Sequence, residues 1–323
     1  MKPQRPWRER CRWKTRSATQ RPESAADAAG ILLAGGIVAI PTETVYGLAA
    51  VATDHDAVAR VYAAKGRPGD HPLIVHVDSM DMARRYGDVN DTAAALAEAF
   101  WPGPLTLLLE RTPLAGDHIT GGRDTVAVRM PSHALALEII GLCGEGLVAP
   151  SANVFGHVSP TTARHVLDDL GERIDAVVDG GPCEVGVEST IVDCAGDLQI
   201  LRPGAVSRAE VEECLGRKVS RTTGPSRAPG MLASHYAPRA TVRLVASVDD
   251  ADELESALRT SGHSVVVIGR NTDARSYAAD LYVLLRRADD QNVDVIIAIE
   301  PPGDDLAVAV RDRLSRAAAD TRS

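Results

Sequence analysis

The chain has 323 residues, 45% of them hydrophobic and 24% charged, the composition of a soluble globular protein of two domains, which excludes collagen-like, low-complexity and disulfide-scaffold chains. Aromatic residues at 3% argue against base stacking as a principal activity, and a net charge of -9 disfavours a non-specific grip on a nucleic-acid backbone. No apolar run reaches the roughly 18 residues of a membrane-spanning helix.

Residues 1–22 read as a disordered basic tail, with eight cations against the single anion Glu9, which leaves the rest of the chain more acidic than the total suggests. No apolar segment follows those charges, which argues against a secretory signal. The five cysteines are scattered without a CxxC pair and read as reduced, buried thiols of a cytoplasmic protein. Residues 25–36 show helical apolar spacing that stops at Gly35-Gly36, and strands over GIVAIP and LAAVAT follow. The alternation continues with helix 56–65, strand 73–77, helix 92–100, strands 105–110 and 125–130, helix 133–140, strand LVAP, helix 161–170, and strands AVVD and TIVDC. Short apolar runs alternating with helices predict one α/β domain over residues 23–208. Residues 209–240, rich in Arg, Ser, Gly and Pro, read as a long linker. Beyond it, three strand-helix alternations over 241–323 predict a small Rossmann-like α/β layer. It lacks a GxGxxG turn, so no dinucleotide is assigned to it.

Polar segments fall at strand ends, where open α/β sheets bind ligands. PTETVYGL (41–48) sets two Thr hydroxyls, a carboxylate and a Tyr after the first strand. In AAKGRPGDHPLIVHV (63–77), Lys65 and Arg67 flank a Gly that permits close backbone approach. The two cations suit a polyphosphate or complement the C-terminal dipole of a helix. No Walker A sequence accompanies them. His71 and His76 read as substrate contacts or satisfied core residues; a metal pair would need a third ligand. In GGRDTVAVRMP (121–131), a period of two puts Thr125, Ala127 and Arg129 on one face, and Arg129 there needs an anion, either a ligand carboxylate or an internal acidic residue. VAPSANVFGHVSP (148–160) places Ser151, Asn153 and Ser159 between a strand and a helix, with Ser159 as helix cap, phosphate contact or both. Glu188 and Ser189 precede the strand TIVD, and Arg202 ends the next one. Hydroxyls and isolated cations without an evident nucleophile point to a multi-phosphate ligand and a small amino-acid-like one, with catalysis by positioning and charge stabilisation.

In order, PTETVYGL, KGRP with HPLIVHV, FWPGPLTLLL, TVAVRMP, APSAN, GVESTIVD and LRPGAV resemble the YrdC/Sua5 family of threonylcarbamoyl-AMP synthases, and APGMLASHYAP with the small α/β layer resembles its two-domain Sua5 branch. The resemblance spans residues 23–323. It implies a twisted mixed-sheet α/β domain with a positive cleft, and a nucleotidyltransferase that turns L-threonine, bicarbonate and ATP into threonylcarbamoyl-AMP and pyrophosphate for t6A modification of tRNA. It further implies Mg2+ carried with ATP, no tightly bound organic cofactor, transfer of the product to a t6A transferase complex, weak affinity for RNA and no membrane contact.

By motif position, the resemblance implies that threonine meets Thr42, His76, Arg129, the Ala149 backbone and Ser189. ATP would meet Lys65, Arg67, His71, Thr125, Ser151, Asn153, Ser159, Arg202 and Tyr236. Lys65 and Arg67 position the substrate, and no catalytic residue is assigned. His71 stands where many members have Asn and adds a titratable charge. Tyr236 makes residues 209–240 a lid as well as a linker. Two other classes compete. An RNA-binding module built on the basic tail is disfavoured by the low aromatic content, and carbamoyl transfer, as in hydrogenase-maturation relatives, by the absence of any CxxC.

Overall fold

The protein is described here from a computed structural model that covers residues 19–221 and 236–319. The first helix, α1 (Ala25–Leu33), starts at Ser24, whose hydroxyl and the Asp27 carboxylate cap each other's backbone amides. There follow β1 (Val38–Ile40), β2 (Gly47–Val51), α2 (His55–Lys65), β3 (Ile74–His76), α3 (Met80–Tyr86), α4 (Asp91–Phe100), β4 (Leu105–Glu110), the short α5 (Asp117–Thr120) and β5 (Thr125–Arg129). The domain continues through α6 (Ala134–Cys143), β6 (Leu147–Val148), α7 (Ala163–Leu170), β7 (Ala176–Val177), β8 (Thr190–Asp193), β9 (Gln199–Arg202), α8 (Arg208–Leu215) and β10 (Ser220–Arg221). The ten strands form one mixed sheet in the order β10-β9-β8-β4-β5-β3-β6-β2-β1-β7. Its larger apolar core lies under the helices, while Ile74, Leu108, Ala127, Ile191 and Leu201 make a smaller cluster in the middle of the sheet.

The second unit holds β11 (Thr241–Val245), α9 (Val248–Thr260), β12 (Val265–Ile268), α10 (Ala274–Asp290), β13 (Val295–Ile299) and α11 (Leu306–Ala318). Its three strands are parallel in the order β11-β13-β12, so the last strand is central, unlike the sequential 3-2-1 half of a dinucleotide fold. The two units share one buried apolar cluster, in which Val45, Val158 and Val187 of the first meet Tyr236, Leu281, Tyr282 and Leu314 of the second.

Several local expectations need correction. Residues 209–221 do not open an irregular linker: Ser207 and Glu210 form a capping box that starts α8, and β10 adds to the large sheet beside β9. The tail read as disordered ends sooner, because Gln20 pairs in parallel with Ala176 and the Thr19 hydroxyl donates to Gly171 O at 2.8 Å. The cap of α7 is Thr162, which accepts from the His165 amide, so Ser159 is not the cap. Gly66 ends α2 at φ 64, and no atom approaches the place of its missing Cβ. Its φ makes the left-handed cap of the helix, and the space beside it is open to the approach the sequence suggested. Cys143, Cys183 and Cys194 are buried, but Cys214 is exposed. No described helix is long and apolar enough to cross a membrane. The rest of the segment read as linker and lid, residues 222–235, and residues 1–18 of the tail lie outside the described residues.

Candidate active site

Pairing register brings the polar residues into one row across the sheet. His76 lies opposite Arg129 between β3 and β5, Arg129 opposite Thr106 between β5 and β4, Leu105 opposite Thr190 between β4 and β8, and Ile191 opposite Arg202 between β8 and β9. These chain positions are far apart in sequence, and the sheet makes them neighbours. The row borders a cleft lined by Thr42, Thr44, Arg67, His76, Arg129, Ala149, Ser151, Glu188, Ser189, Arg202 and Tyr236, with Pro72, Leu73 and Ile74 along one side.

At one end of the cleft Arg129 is 3% exposed. Its Nε donates to Gly103 O at 3.2 Å, its Nη1 to Thr44 Oγ1 at 2.9 Å, and its Nη2 lies 2.7 Å from Glu43 Oε1. Burial raises the Glu43 pKa, but the Arg129 charge beside it outweighs this and holds the carboxyl below its usual range. Arg129 thus has the internal acidic partner of one reading, and it also lines the cleft. Thr42 organises the adjoining turn: its hydroxyl donates to Val45 O at 2.6 Å and accepts from the amides of Thr44 and Val45. His76 is buried, and its Nδ1 has no hydrogen-bond partner among the described residues. Burial and then the nearby Arg129 push its pKa down to about 3, so the imidazole is neutral at working pH.

Arg67 marks the other end. It donates through Nη2 to Pro72 O at 2.9 Å and lies 5.5 Å from the centre of the Phe155 ring, and its buried Nε has no partner among the described residues. Lys65 is buried behind it. The ammonium donates to Ser151 O at 2.5 Å, Asn153 O at 2.7 Å and Asn153 Oδ1 at 3.3 Å, three acceptors for three N–H donors. Burial, helped by Arg67, lowers its pKa well below the usual range. Ser151 donates to Asn153 Oδ1 at 2.6 Å, and Asn153 donates on to His157 O at 2.7 Å. Lys65 thus holds the 151–157 loop, of which only Ser151 reaches the cleft wall.

The third wall comes from the 188–204 corner. Ser189 Oγ shares a hydrogen with Thr106 Oγ1 at 2.7 Å, and Arg202 donates to Ser189 O and Oγ, each at 3.0 Å. Glu188 is buried. Its Oε1 accepts from Ser159 at 2.6 Å, and its Oε2 accepts from Tyr282 OH and Arg313 Nε, each at 2.8 Å. Burial would raise its pKa, but Arg313 and Arg202 bring it down to about 2.

Of the residues expected from sequence, Thr42, His76, Arg129, Ala149 and Ser189 line the cleft with Arg67, Ser151, Arg202 and Tyr236. Lys65, Asn153 and Ser159 support the wall from behind. His71 stacks edge-on against Phe155 at 5.3 Å, beside Arg67 but outside the lining. Thr125 begins β5, four residues from Arg129, and is also outside the lining. Sequence reading missed Glu43, Thr44 and Thr106 as partners of the lining side chains, and missed Tyr282 and Arg313 altogether. The polar TET run contained the first two; nothing local distinguishes Arg313 from the other 30 Arg. No group of three His, Cys, Asp or Glu able to hold a metal occurs among the described residues.

The chain is similar to known proteins along most of its length. A family model described as telomere recombination, for Sua5, YciO and YrdC, matches residues 30–204, and one described as threonylcarbamoyl-AMP synthase, C-terminal domain, matches residues 206–319. The chain is 41% identical over 316 residues to the threonylcarbamoyl-AMP synthase of Pyrococcus abyssi, covering 90% of this chain and 92% of that protein. It is 40% identical over 319 residues to that of Bacillus subtilis, covering 91% and 92%. A putative threonylcarbamoyl-AMP synthase of Mycobacterium tuberculosis is 39% identical over 199 residues, which is 61% of this chain and 91% of that one. The crystal structure of P. abyssi Sua5 complexed with L-threonine superposes with a TM-score of 0.87 at 39% identity, covering 91% of this chain and 94% of that one.

Proposed function

Because the chain belongs to the Sua5/YciO/YrdC family and is a threonylcarbamoyl-AMP synthase, which makes an adenylate from ATP, we propose that its cleft binds L-threonine at the Arg129 end and ATP toward Arg67, Ser151, Arg202 and Tyr236. The observation that carries this reading is the row of strand-end residues in which two buried cations, Arg129 and Arg202, line one cleft together with Arg67. The threonine carboxylate takes the N–H groups of Arg129 not already used, while His76, Thr42, Ser189 and the Ala149 backbone enclose its side chain and amine. The neutral amine nitrogen bonds to the carbon of CO2 derived from bicarbonate and gives up one proton to water, leaving a carbamate. A carbamate oxygen then bonds to the α-phosphorus of ATP as the bond to pyrophosphate breaks, giving threonylcarbamoyl-AMP and pyrophosphate.

No side chain needs to form a covalent bond in this scheme. The chain's part is alignment of the carbamate with the α-phosphorus and stabilisation of charge by Arg67 and Arg202. Lys65 acts by fixing Ser151 and the loop that carries it, since its own N–H groups are occupied. His71, Thr125, Asn153 and Ser159 complete the nucleotide end from the rim and from behind the wall. Mg2+ carried with ATP would supply neutralisation of phosphate charge, while Arg67 and Arg202 hold the nucleotide end of the cleft. The product passes to a t6A transferase complex in the cytoplasm, and any RNA affinity is weak. Incubation with ATP, threonine and labelled bicarbonate should place the label in an AMP adduct; label appearing only without threonine, or not at all, refutes the assignment.

A further inference from the structure

We propose that Arg313, in the second unit, is a positioning residue for the cleft, acting through Glu188 and Tyr236 on Ser189 and Arg202. The proposal rests on the reading of the cleft just given. Arg313 is a fully buried cation. Besides the 2.8 Å bond from Nε to Glu188, its Nη2 donates to Glu188 O at 3.4 Å and to Pro203 O at 3.0 Å. Its guanidinium carbon stands 5.4 Å from the centre of the Tyr236 ring, which in turn stacks on Tyr282 at 5.6 Å.

One side chain therefore contacts the residue before Ser189, the residue after Arg202 and an aromatic ring that lines the same cleft. The corner it grips is tight. A Cβ on Gly204 would lie 2.3 Å from Thr190 N and 2.6 Å from Glu188 O. A buried ion pair is weak evidence for stability as such, because desolvation offsets the attraction. A planar fork with fixed donor directions does, however, define geometry. Nothing in the proposed chemistry places Arg313 against a substrate, so its effect runs through the wall.

The test measures threonine-dependent pyrophosphate release by the full chain, with KM for ATP and for threonine, kcat and melting temperature. The variants are Arg313→Met, Arg313→Lys and the double change Glu188→Gln with Arg313→Met. The expected result is a rise of at least tenfold in both KM values for Arg313→Met and a partial recovery for Arg313→Lys, which keeps the charge but not the fork. The double variant regains part of the melting temperature lost in Arg313→Met, because the Glu188 carboxylate left buried beside the missing guanidinium is gone as well, yet it keeps the raised KM. Unchanged KM values in folded Arg313→Met, or a double variant restored in both KM and stability, would overturn the proposal by reducing Arg313 to a counter-ion. If Arg313→Met does not fold, the Lys and double variants decide on the same criteria. Wild-type protein without threonine-dependent pyrophosphate release would instead overturn the reading of the cleft itself.

Discussion

Arg129 is fixed by Thr44, Gly103 and Glu43 before any substrate arrives, and that arrangement sets what its replacement should do. Arg129→Ala should abolish threonine-dependent pyrophosphate release and, by leaving Glu43 buried and unpaired, cost about 3–5 kcal/mol of stability. Arg129→Lys separates the two effects: the charge stays, the fork is lost, and KM for threonine should rise by about 10- to 100-fold, on the order of 1–3 kcal/mol, in steady-state assays of folded protein. His71 supplies a pH test. Burial and then Arg67 lower its pKa from the usual 6.5, so it is neutral at pH 7 and gains its positive charge only as pH falls below that value. ATP affinity should therefore strengthen through that acidic range, and His71→Asn should remove the change in KM for ATP. The exposure of this pair of roles to sequence reading was uneven. Period two placed Arg129 on its face, but its carboxylate partner lies 86 positions away on the turn after β1, beyond the reach of any local pattern.

At the level of elements, strands and helices were legible wherever apolar periodicity was strong, as in β4, β5 and α10. The misses have a physical cause. α8 was lost in a stretch read by its Arg, Ser and Pro content, although Ser207 three residues before Glu210 is a capping signal that marks its start. The Ser159 cap was wrong because Pro160 suggested a helix start, whereas the side chain is drawn to a carboxylate 29 positions on. The β8–β9 corner is where an element constrains the site most directly. Gly204→Ala should clash with backbone atoms of residues 188–190 and destabilise the chain by about 1–3 kcal/mol, read as a fall in melting temperature. A loss of synthase activity should accompany it, because the displaced backbone belongs to Glu188 and Ser189.

For the whole molecule, the shared cluster of Val45, Val158, Val187, Tyr236 and Tyr282 makes the second unit part of the wall. Removing residues 225–323 should leave a folded first unit whose circular dichroism is α/β but whose activity is reduced, since Glu188 loses Tyr282 and Arg313 and the cleft loses Tyr236. Full activity in that shortened chain would count against a role for the second unit in catalysis. Two units were readable from length and the Pro-rich break. Their contact was not, because α11 looks like an ordinary amphipathic helix until its buried Arg313 is seen.

The pairing of Gln20 with Ala176 bears on the handling of the protein as well as its architecture. β7 is an outer strand of the ten-stranded sheet, and residues 19–20 occupy hydrogen-bonding groups that would otherwise face solvent. Trimming the basic residues as far as position 22 would uncover that margin and create a template for adhesion between copies. A trim ending at residue 18 would keep it covered, so the exact cut, and not the charge removed, would decide whether the shortened protein stays dispersed at high concentration.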